Sequence, residues 1–512
     1  MKIALLVIYF GVMVAIGIYC RKHTSGINNF VLGGRSVGPW LTAFAYGTSY
    51  FSAVVFIGYA GQFGWKYGIA ATWAGIGNAI LGSLLVWVVL GRRTRIMTQH
   101  FDSTTMPQFF GQRFQSPSLK IGASIIIFIF LIPYTASLFN GLSRLFGMAF
   151  NIDYTVCIIL MGVLTGIYVI AGGYMATAIN DFVQGCIMLV GICAVVGAIL
   201  NTQGGFSEAL HNLAAVSDST TTNGDVPGIY ASFFGPEPVN LLGVVLLTSL
   251  GTWGLPQMVQ KFYAIKSEDA IHKGTVISTI FALVVSGGCY FMGGFGRLFS
   301  DQVDVATEGY DAIVPTMLSN LPELLIAIVV ILVLSASMST LSALVMTSSS
   351  TITLDLLKGN MVKKMNDFQA VFIIRCFIVV FIIISMVIAI IQYKYSISFI
   401  AQLMGVSWGA LAGAFLAPFL YSLYWKRTTR AACWASFLFS TVVMLSNIFV
   451  GSRFPALLQS PINAGAFCML AGLVIVPVVS LFTRKPDPVL VEDTFSCYNK
   501  PVIVAQREAL GD

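Results

Sequence analysis

Thirteen runs of about twenty mostly apolar residues follow one another along the chain, near 3–20, 38–61, 69–90, 122–149, 154–172, 178–200, 233–258, 275–296, 322–350, 369–391, 397–424, 431–450 and 464–482. A helical run of that length matches the hydrocarbon core of a bilayer. Only helices and closed barrels can satisfy every backbone hydrogen bond there. The pattern therefore predicts an all-α integral membrane protein with about 13 transmembrane helices. Composition agrees: of 512 residues, 57% are apolar and 10% are charged, against roughly 25% charged in soluble domains. The first run is followed at once by Arg21 and Lys22 with no small-residue cleavage pattern, so it is expected to be a retained helix and not a signal peptide.

The 28 Lys and Arg exceed the 21 Asp and Glu by a formal +7. A nucleic-acid binder would gather that excess into one face or tail, and here it is spread over alternate connecting segments. Twenty-one basic residues fall on one side: Arg21, Lys22, Arg35, Arg92, Arg93, Arg95, Arg113, Lys120, Lys261, Lys266, Lys273, Lys358, Lys363, Lys364, Lys426, Arg427, Arg430, Arg484, Lys485, Lys500 and Arg507. Six fall on the other, Lys2, Lys66, Arg144, Arg297, Lys394 and Arg453, and the remaining one, Arg375, falls within a span. Because basic residues accumulate in cytoplasmic loops, the N-terminus is expected outside and the C-terminus in the cytoplasm, across a plasma membrane (the inner membrane in a bacterium).

Other classes are excluded by what the chain lacks. All four histidines lie in polar connecting segments, leaving a buried haem, di-iron or zinc site without its commonest ligand. The nine cysteines are scattered with no C-x-x-C pair and read as small core residues. No G-x-x-x-x-G-K-[ST] motif is present, and the tail from 483 is too short for a nucleotide-binding domain. Neither ATP-driven pumping nor nucleic-acid binding fits.

Polar interruptions of the apolar runs point to the function. An unwound stretch at membrane depth is tolerated only where protein or a water-filled cavity surrounds it, and such breaks mark transport sites. The second run contains Tyr46-Gly47-Thr48-Ser49-Tyr50-Phe51-Ser52-Ala53, and the seventh contains Gly251-Thr252-Trp253-Gly254-Leu255-Pro256-Gln257. Five is odd, so two five-span units beginning at these breaks must lie upside down relative to each other, the inverted-repeat arrangement of many secondary transporters. The ninth run carries Ser335-Ala336-Ser337-Met338-Ser339-Thr340-Leu341-Ser342. Ser339 and Thr340, at i+3 and i+4 from Ala336, share a helix face with its carbonyl. Neutral oxygens so placed suit a monovalent hard cation, although hydroxyls also bond back to preceding carbonyls without any ligand. Asp181, at the start of the sixth run, needs a cation or donors, or serves as an ordinary helix N-terminal acid.

The chain resembles the sodium:solute symporter family. The resemblance runs over about residues 5 to 485 and rests on Phe30-Val31-Leu32-Gly33-Gly34-Arg35-Ser36, Ala171-Gly172-Gly173, Asn180-Asp181-x-x-Gln184 and Met338-Ser339-Thr340-Leu341-Ser342. It implies a LeuT-type 5+5 inverted repeat with one extra N-terminal and two extra C-terminal helices. The divisions would then be 1–37 (extra helix and cytoplasmic loop), 38–200 (first repeat), 201–232 (extracellular loop), 233–424 (second repeat), 425–482 (two extra helices) and 483–512 (cytoplasmic tail). It also implies a sodium site from the carbonyls of Thr48, Phe51 and Ala336 with the hydroxyls of Ser339 and Thr340. A second sodium site, seen in some relatives, would use Asp181 with Ser339 and Ser342, but position 343 is Ala where those relatives carry another hydroxyl. Proline transporters of the family usually place Asp at the position of Tyr50 and Trp at that of Val54, which argues against proline. The Tyr50–Ala53 and Gly254–Pro256 stretches look closer to the pantothenate and monocarboxylate branches.

The expected function is sodium-coupled import of a small polar organic solute (a carboxylate, amino acid or vitamin-like compound) by alternating access, with a proton-coupled or uncoupled transporter of the same fold as the alternative. The substrate would lie between the two breaks, near Ser49, Ser52, Asn78, Tyr134, Thr252, Trp253, Gln402 and Ser407. Each of these polar groups equally fits interhelical hydrogen bonding. The sequence leaves the oligomeric state open.

Overall fold

A computed structural model describes residues 2–21, 26–150, 152–319, 321–358, 361–362, 364–395 and 400–499. Lys22, His23, Lys363, Lys500 and Arg507, used in the charge pattern or the histidine survey, lie outside the described residues, as does the rest of the tail beyond 499. Every extended element among the described residues is helical. Among the described residues nine helices are long and apolar enough to cross a membrane, or ten when Pro238–Gly254 and Pro256–Ala264, bent by 45° at their junction, count as one span. The chain is a multi-pass membrane protein.

The difference between these counts and thirteen sequence runs has a backbone origin. Val54–His100 spans 47 residues and Tyr154–Thr202 spans 49, each more than double the roughly 20 that a crossing requires. Each contains a glycine in a conformation foreign to a helix, Gly68 (φ 62°, ψ −144°) and Gly173 (φ 57°, ψ −152°). Helix Pro39–Tyr50 has 12 residues and stops at the predicted first break.

Gly173 occupies a region open essentially to glycine alone, and a Cβ there would sit 2.8 Å from the Phe30 ring and 2.9 Å from the Phe30 carbonyl oxygen. Gly173→Ala is therefore expected to cost about 1–3 kcal/mol from strain alone, seen as a lower melting temperature of the purified protein. An unchanged melting temperature would show that the kink is not required.

Apolar side chains such as Val163, Val190, Phe449 and Phe482 point outward from the bundle, while Ser and Thr fill its interior. Three cysteines depart from the expected core role: Cys186, Cys193 and Cys376 are exposed on helix surfaces, whereas the other six are buried. Small residues allow close helix contact, as where a Cβ on Gly409 would meet the Gly465 Cα at 2.7 Å.

One staple ties the two broken spans together. Gly33, Gly34 and Arg35 take three successive positive φ values of 59°, 69° and 57°, turning the chain so that Val37 pairs with the end of helix Pro256–Ala264. The Val37 amide donates to Ala264 O at 3.2 Å, and the Lys266 amide donates to Val37 O at 3.0 Å. Buried Arg35 locks the turn by donating to Ser103 O at 2.7 Å and to Thr98 O and Tyr263 O at 3.4 Å.

In the segment between helices Tyr154–Thr202 and Pro238–Gly254, Arg297 holds Asp218 at 2.9 Å and also donates to Trp65 O at 2.6 Å. Slight burial pushes the Asp218 carboxyl up. Hydrogen bonds from Thr220, Thr221 and Arg297 outweigh it and hold the group well below the usual carboxylate range.

Candidate functional site

Both breaks form where the polar clusters predicted them. Helix Pro39–Tyr50 ends in Phe51, which is extended (φ −98°, ψ 104°), and Ser52 Oγ then accepts the Val54 amide at 3.2 Å to start the next helical stretch. In the second break Leu255 is extended (φ −74°, ψ 122°) ahead of Pro256, which has no amide proton to continue the ladder.

The first break frees carbonyls at the end of helix Pro39–Tyr50, and the hydroxyl-rich turn of helix Glu323–Thr351 meets one of them. Ser339 Oγ lies 2.9 Å and Thr340 Oγ1 3.0 Å from Thr48 O, and both lie 3.1 Å from Ala336 O. All four residues are buried, as is Phe51 at the break itself. Two hydroxyls carry two protons between them, so they can satisfy only part of this crowded set of lone pairs at any moment. A small hard cation would satisfy all of them at once, with the hydroxyl protons turned away. The sequence-predicted oxygens of Thr48, Ala336, Ser339 and Thr340 thus converge across two helices. Ser342, by contrast, directs its hydroxyl to Ser339 O at 2.8 Å.

Asp181 is fully buried and has a partner that the charge pattern misplaced. Lys261, assigned from sequence to a connecting segment, is itself buried within helix Pro256–Ala264. Its Nζ stands 3.6 Å from Asp181 Oδ2 and 5.2 Å from the centre of the Tyr174 ring. Among the described residues neither Asp181 oxygen has a partner within hydrogen-bond distance. The pair joins helix Tyr154–Thr202 to the half-helix that follows the second break.

Four of the eight predicted substrate contacts make hydrogen bonds between helices. Asn78 donates to Ser286 Oγ at 2.9 Å and accepts from Ser249 Oγ at 3.2 Å. Thr252 donates to Gly82 O and the Trp253 indole to Leu81 O, both at 2.9 Å. Tyr46 also donates to Gly82 O, at 2.6 Å. Residues Ile80–Leu84 form a π-helical turn, which loosens the backbone ladder there and explains why these carbonyls accept from side chains on both broken spans. Ser407 donates to Phe130 O at 2.5 Å, while Gln402 is only half-buried.

Among the described residues the buried Ser49 and Tyr134 hydroxyls have no hydrogen-bond partner. The Tyr134 ring meets Trp408 edge-on at 5.9 Å, and Tyr50 stacks with Trp408 at 5.6 Å while its hydroxyl donates to Thr248 O. Sequence reasoning missed Lys261, the Gly82 carbonyl and the Tyr50–Trp408–Tyr134 cluster.

Residues 30–439 match the model of the sodium:solute symporter family. The chain belongs to that family. Among curated relatives, the osmoregulated proline transporter OpuE of Bacillus subtilis (strain 168) is 29% identical over 483 residues, covering 94% of each chain. A sodium/proline symporter of Staphylococcus aureus (strain NCTC 8325 / PS 47) is 29% identical over 497 residues, covering 94% of this chain and 93% of the relative.

Among solved structures, a Na+-coupled sialic acid symporter in a substrate-bound outward-open state superposes with a TM-score of 0.77 at 17% identity, covering 95% of this chain and 98% of the other. A nucleobase-cation-symport-1 family transporter in a closed conformation gives 0.51 at 13% identity, over 91% and 97%. The fold is accordingly that of the LeuT-type transporters, and the family consists of symporters, not enzymes. Both of these curated relatives are named for proline.

Proposed function

We propose that this member of the sodium:solute symporter family imports a small polar organic solute together with sodium by alternating access. The observation that carries the proposal is the convergence of Thr48 O, Ala336 O, Ser339 Oγ and Thr340 Oγ1 between the first break and helix Glu323–Thr351. Sodium there, completed by the Phe51 carbonyl, ties a mobile half-helix to its scaffold and orders the neighbouring solute site. Each sodium entering down about 100 mV brings roughly 2.3 kcal/mol, or about 50-fold accumulation of solute.

The solute lies between the breaks, against the unpartnered Ser49 and Tyr134 hydroxyls and the Tyr50–Trp408 stack. With no carboxylate at Tyr50 for a cationic amine, the site favours neutral or anionic solutes, whose charge would rest on exposed amides at the breaks. A second sodium, if one is carried, would meet Asp181, Ser339 and Ser342. Adding the shorter apolar helix Ala4–Cys20 to the ten candidate spans, and counting the Gly68 and Gly173 kinks as turns between crossings, supports thirteen spans, ten of them in two inverted five-helix repeats. The basic-residue pattern supports an N-terminus outside and a C-terminus inside.

Uptake into proteoliposomes tests this reading across amino acids, short carboxylates, vitamins and sugars, each with an inward sodium gradient and with potassium replacing sodium. At least one solute is expected to accumulate only with the sodium gradient. Accumulation that follows a proton gradient, or that ignores both ions, would replace sodium coupling with the proton-coupled or uncoupled alternative.

A further inference from the structure

On the side where basic residues accumulate, a cleft of about 380 Å³ opens between the end of helix Met106–Arg113, the start of helix Arg430–Val450 and the stretch that follows helix Pro461–Phe482. Four cations line it, Arg113, Arg430, Arg484 and Lys485, against a single carboxylate, Asp487. Asp487 is already engaged, accepting the Val489 amide at 2.9 Å.

Arg113 separates this cleft from an ordinary basic surface. It is fully buried and donates through Nε to Ser422 O at 3.3 Å. Among the described residues both of its terminal nitrogens are without hydrogen-bond partners. The guanidinium lies between the rings of Phe114 and Phe495, at 5.1 and 5.2 Å, and among the described residues no carboxylate pairs with it. A buried cation without a counter-ion is costly. The free edge of a guanidinium matches a phosphate in a bidentate manner.

Beside the cleft, Val474, Val478, Leu481 and Phe482 of helix Pro461–Phe482 are exposed, Phe482 by 87%. Their spacing places them along one helix face, so an acyl chain can run up the span while its headgroup sits among the cations. Basic pockets between membrane helices on the cytoplasmic side recognise anionic headgroups in this way.

We propose that the cleft binds the phosphate of an anionic phospholipid, with Arg113 as the inner ligand and Arg430, Arg484 and Lys485 closing over it. The test uses the full chain in mild detergent, followed by native mass spectrometry and thermal melting during titration with phosphatidylglycerol, phosphatidylcholine or inorganic phosphate. Phosphatidylglycerol is expected to remain bound and raise the melting temperature, and phosphatidylcholine to do neither.

The triple variant Arg430→Ala, Arg484→Ala, Lys485→Ala alters exposed side chains and is expected to weaken phosphatidylglycerol binding by roughly 100-fold, and Lys485→Ala alone by about fivefold. Equal stabilisation by both lipids, or undiminished phosphatidylglycerol binding by both variants, overturns the proposal. Inorganic phosphate protecting as well as phosphatidylglycerol at equal concentration also overturns the lipid and assigns the cleft to a soluble phosphate.

Discussion

Replacing Ser339 with Ala and Thr340 with Val together will abolish sodium-stimulated uptake while leaving a folded protein. Among the described residues the two hydroxyls are the side-chain oxygens that bond to both Thr48 O and Ala336 O. A hydrogen-bonding or ligating contact to a charge contributes about 1.5–3 kcal/mol. Losing two raises the sodium concentration needed for half-maximal uptake by roughly 100-fold or more.

Thr340→Val preserves side-chain shape, and neither substitution strands a charge, so the melting temperature without sodium should change little. In the unmodified protein sodium should raise the melting temperature by mass action, and in the double variant it should not. Two observations decide the matter: the sodium dependence of uptake and the sodium dependence of melting. If both persist unchanged in the double variant, sodium binds elsewhere, and the converging oxygens are only a helix contact made by hydroxyls bonding to carbonyls.

The polar interruptions were legible in the sequence because a bilayer makes each of them costly, so they stand out against the apolar runs and keep their meaning in the fold. That Thr48 and Ser339 belong together, 291 residues apart, was implied by the family resemblance and not by the interruptions themselves. The runs also divide near these two glycines, between 61 and 69 and between 172 and 178, but only the structure shows that Gly68 and Gly173 turn the backbone there within long helical stretches.

The Gly82 and Leu81 carbonyls were invisible for a related reason. A π-helical turn offers main-chain oxygen to Tyr46, Thr252 and Trp253, and no side-chain pattern announces it. This also explains why several predicted solute contacts prove to be struts: a polar side chain in an apolar run signals a polar partner without saying whether that partner is backbone or ligand. Lys261 was misread because it lies five residues past Pro256 and shortly before Lys266 and Lys273, where a basic residue looks like part of a loop. The structure continues the helix to Ala264 and buries it.

The Asp181–Lys261 pair should give the largest stability effect of any side-chain pair at the breaks. Removing one partner of a buried ion pair leaves an uncompensated charge and costs about 3–5 kcal/mol, whereas replacing both with neutral groups of similar volume is often neutral or stabilising. Asp181→Asn and Lys261→Met are each expected to melt well below the unmodified protein, and the double variant near it. Equal and additive losses would mean that the two charges do not interact.

The same cycle bears on ion stoichiometry. Lys261 already stands 3.6 Å from the carboxylate, Ser342 turns its hydroxyl to Ser339 O, and residue 343 is Ala. A sodium at Asp181 would have to displace the ammonium and find most of its oxygens elsewhere. The double variant is therefore expected to carry as many sodium ions per solute as the unmodified protein, measured as paired isotope fluxes. A loss of one sodium per cycle would show that Asp181 releases Lys261 and holds a transported ion during turnover. Helix Pro256–Ala264 would then have to move away from helix Tyr154–Thr202 in each cycle, and the ion pair would be a latch that sodium opens.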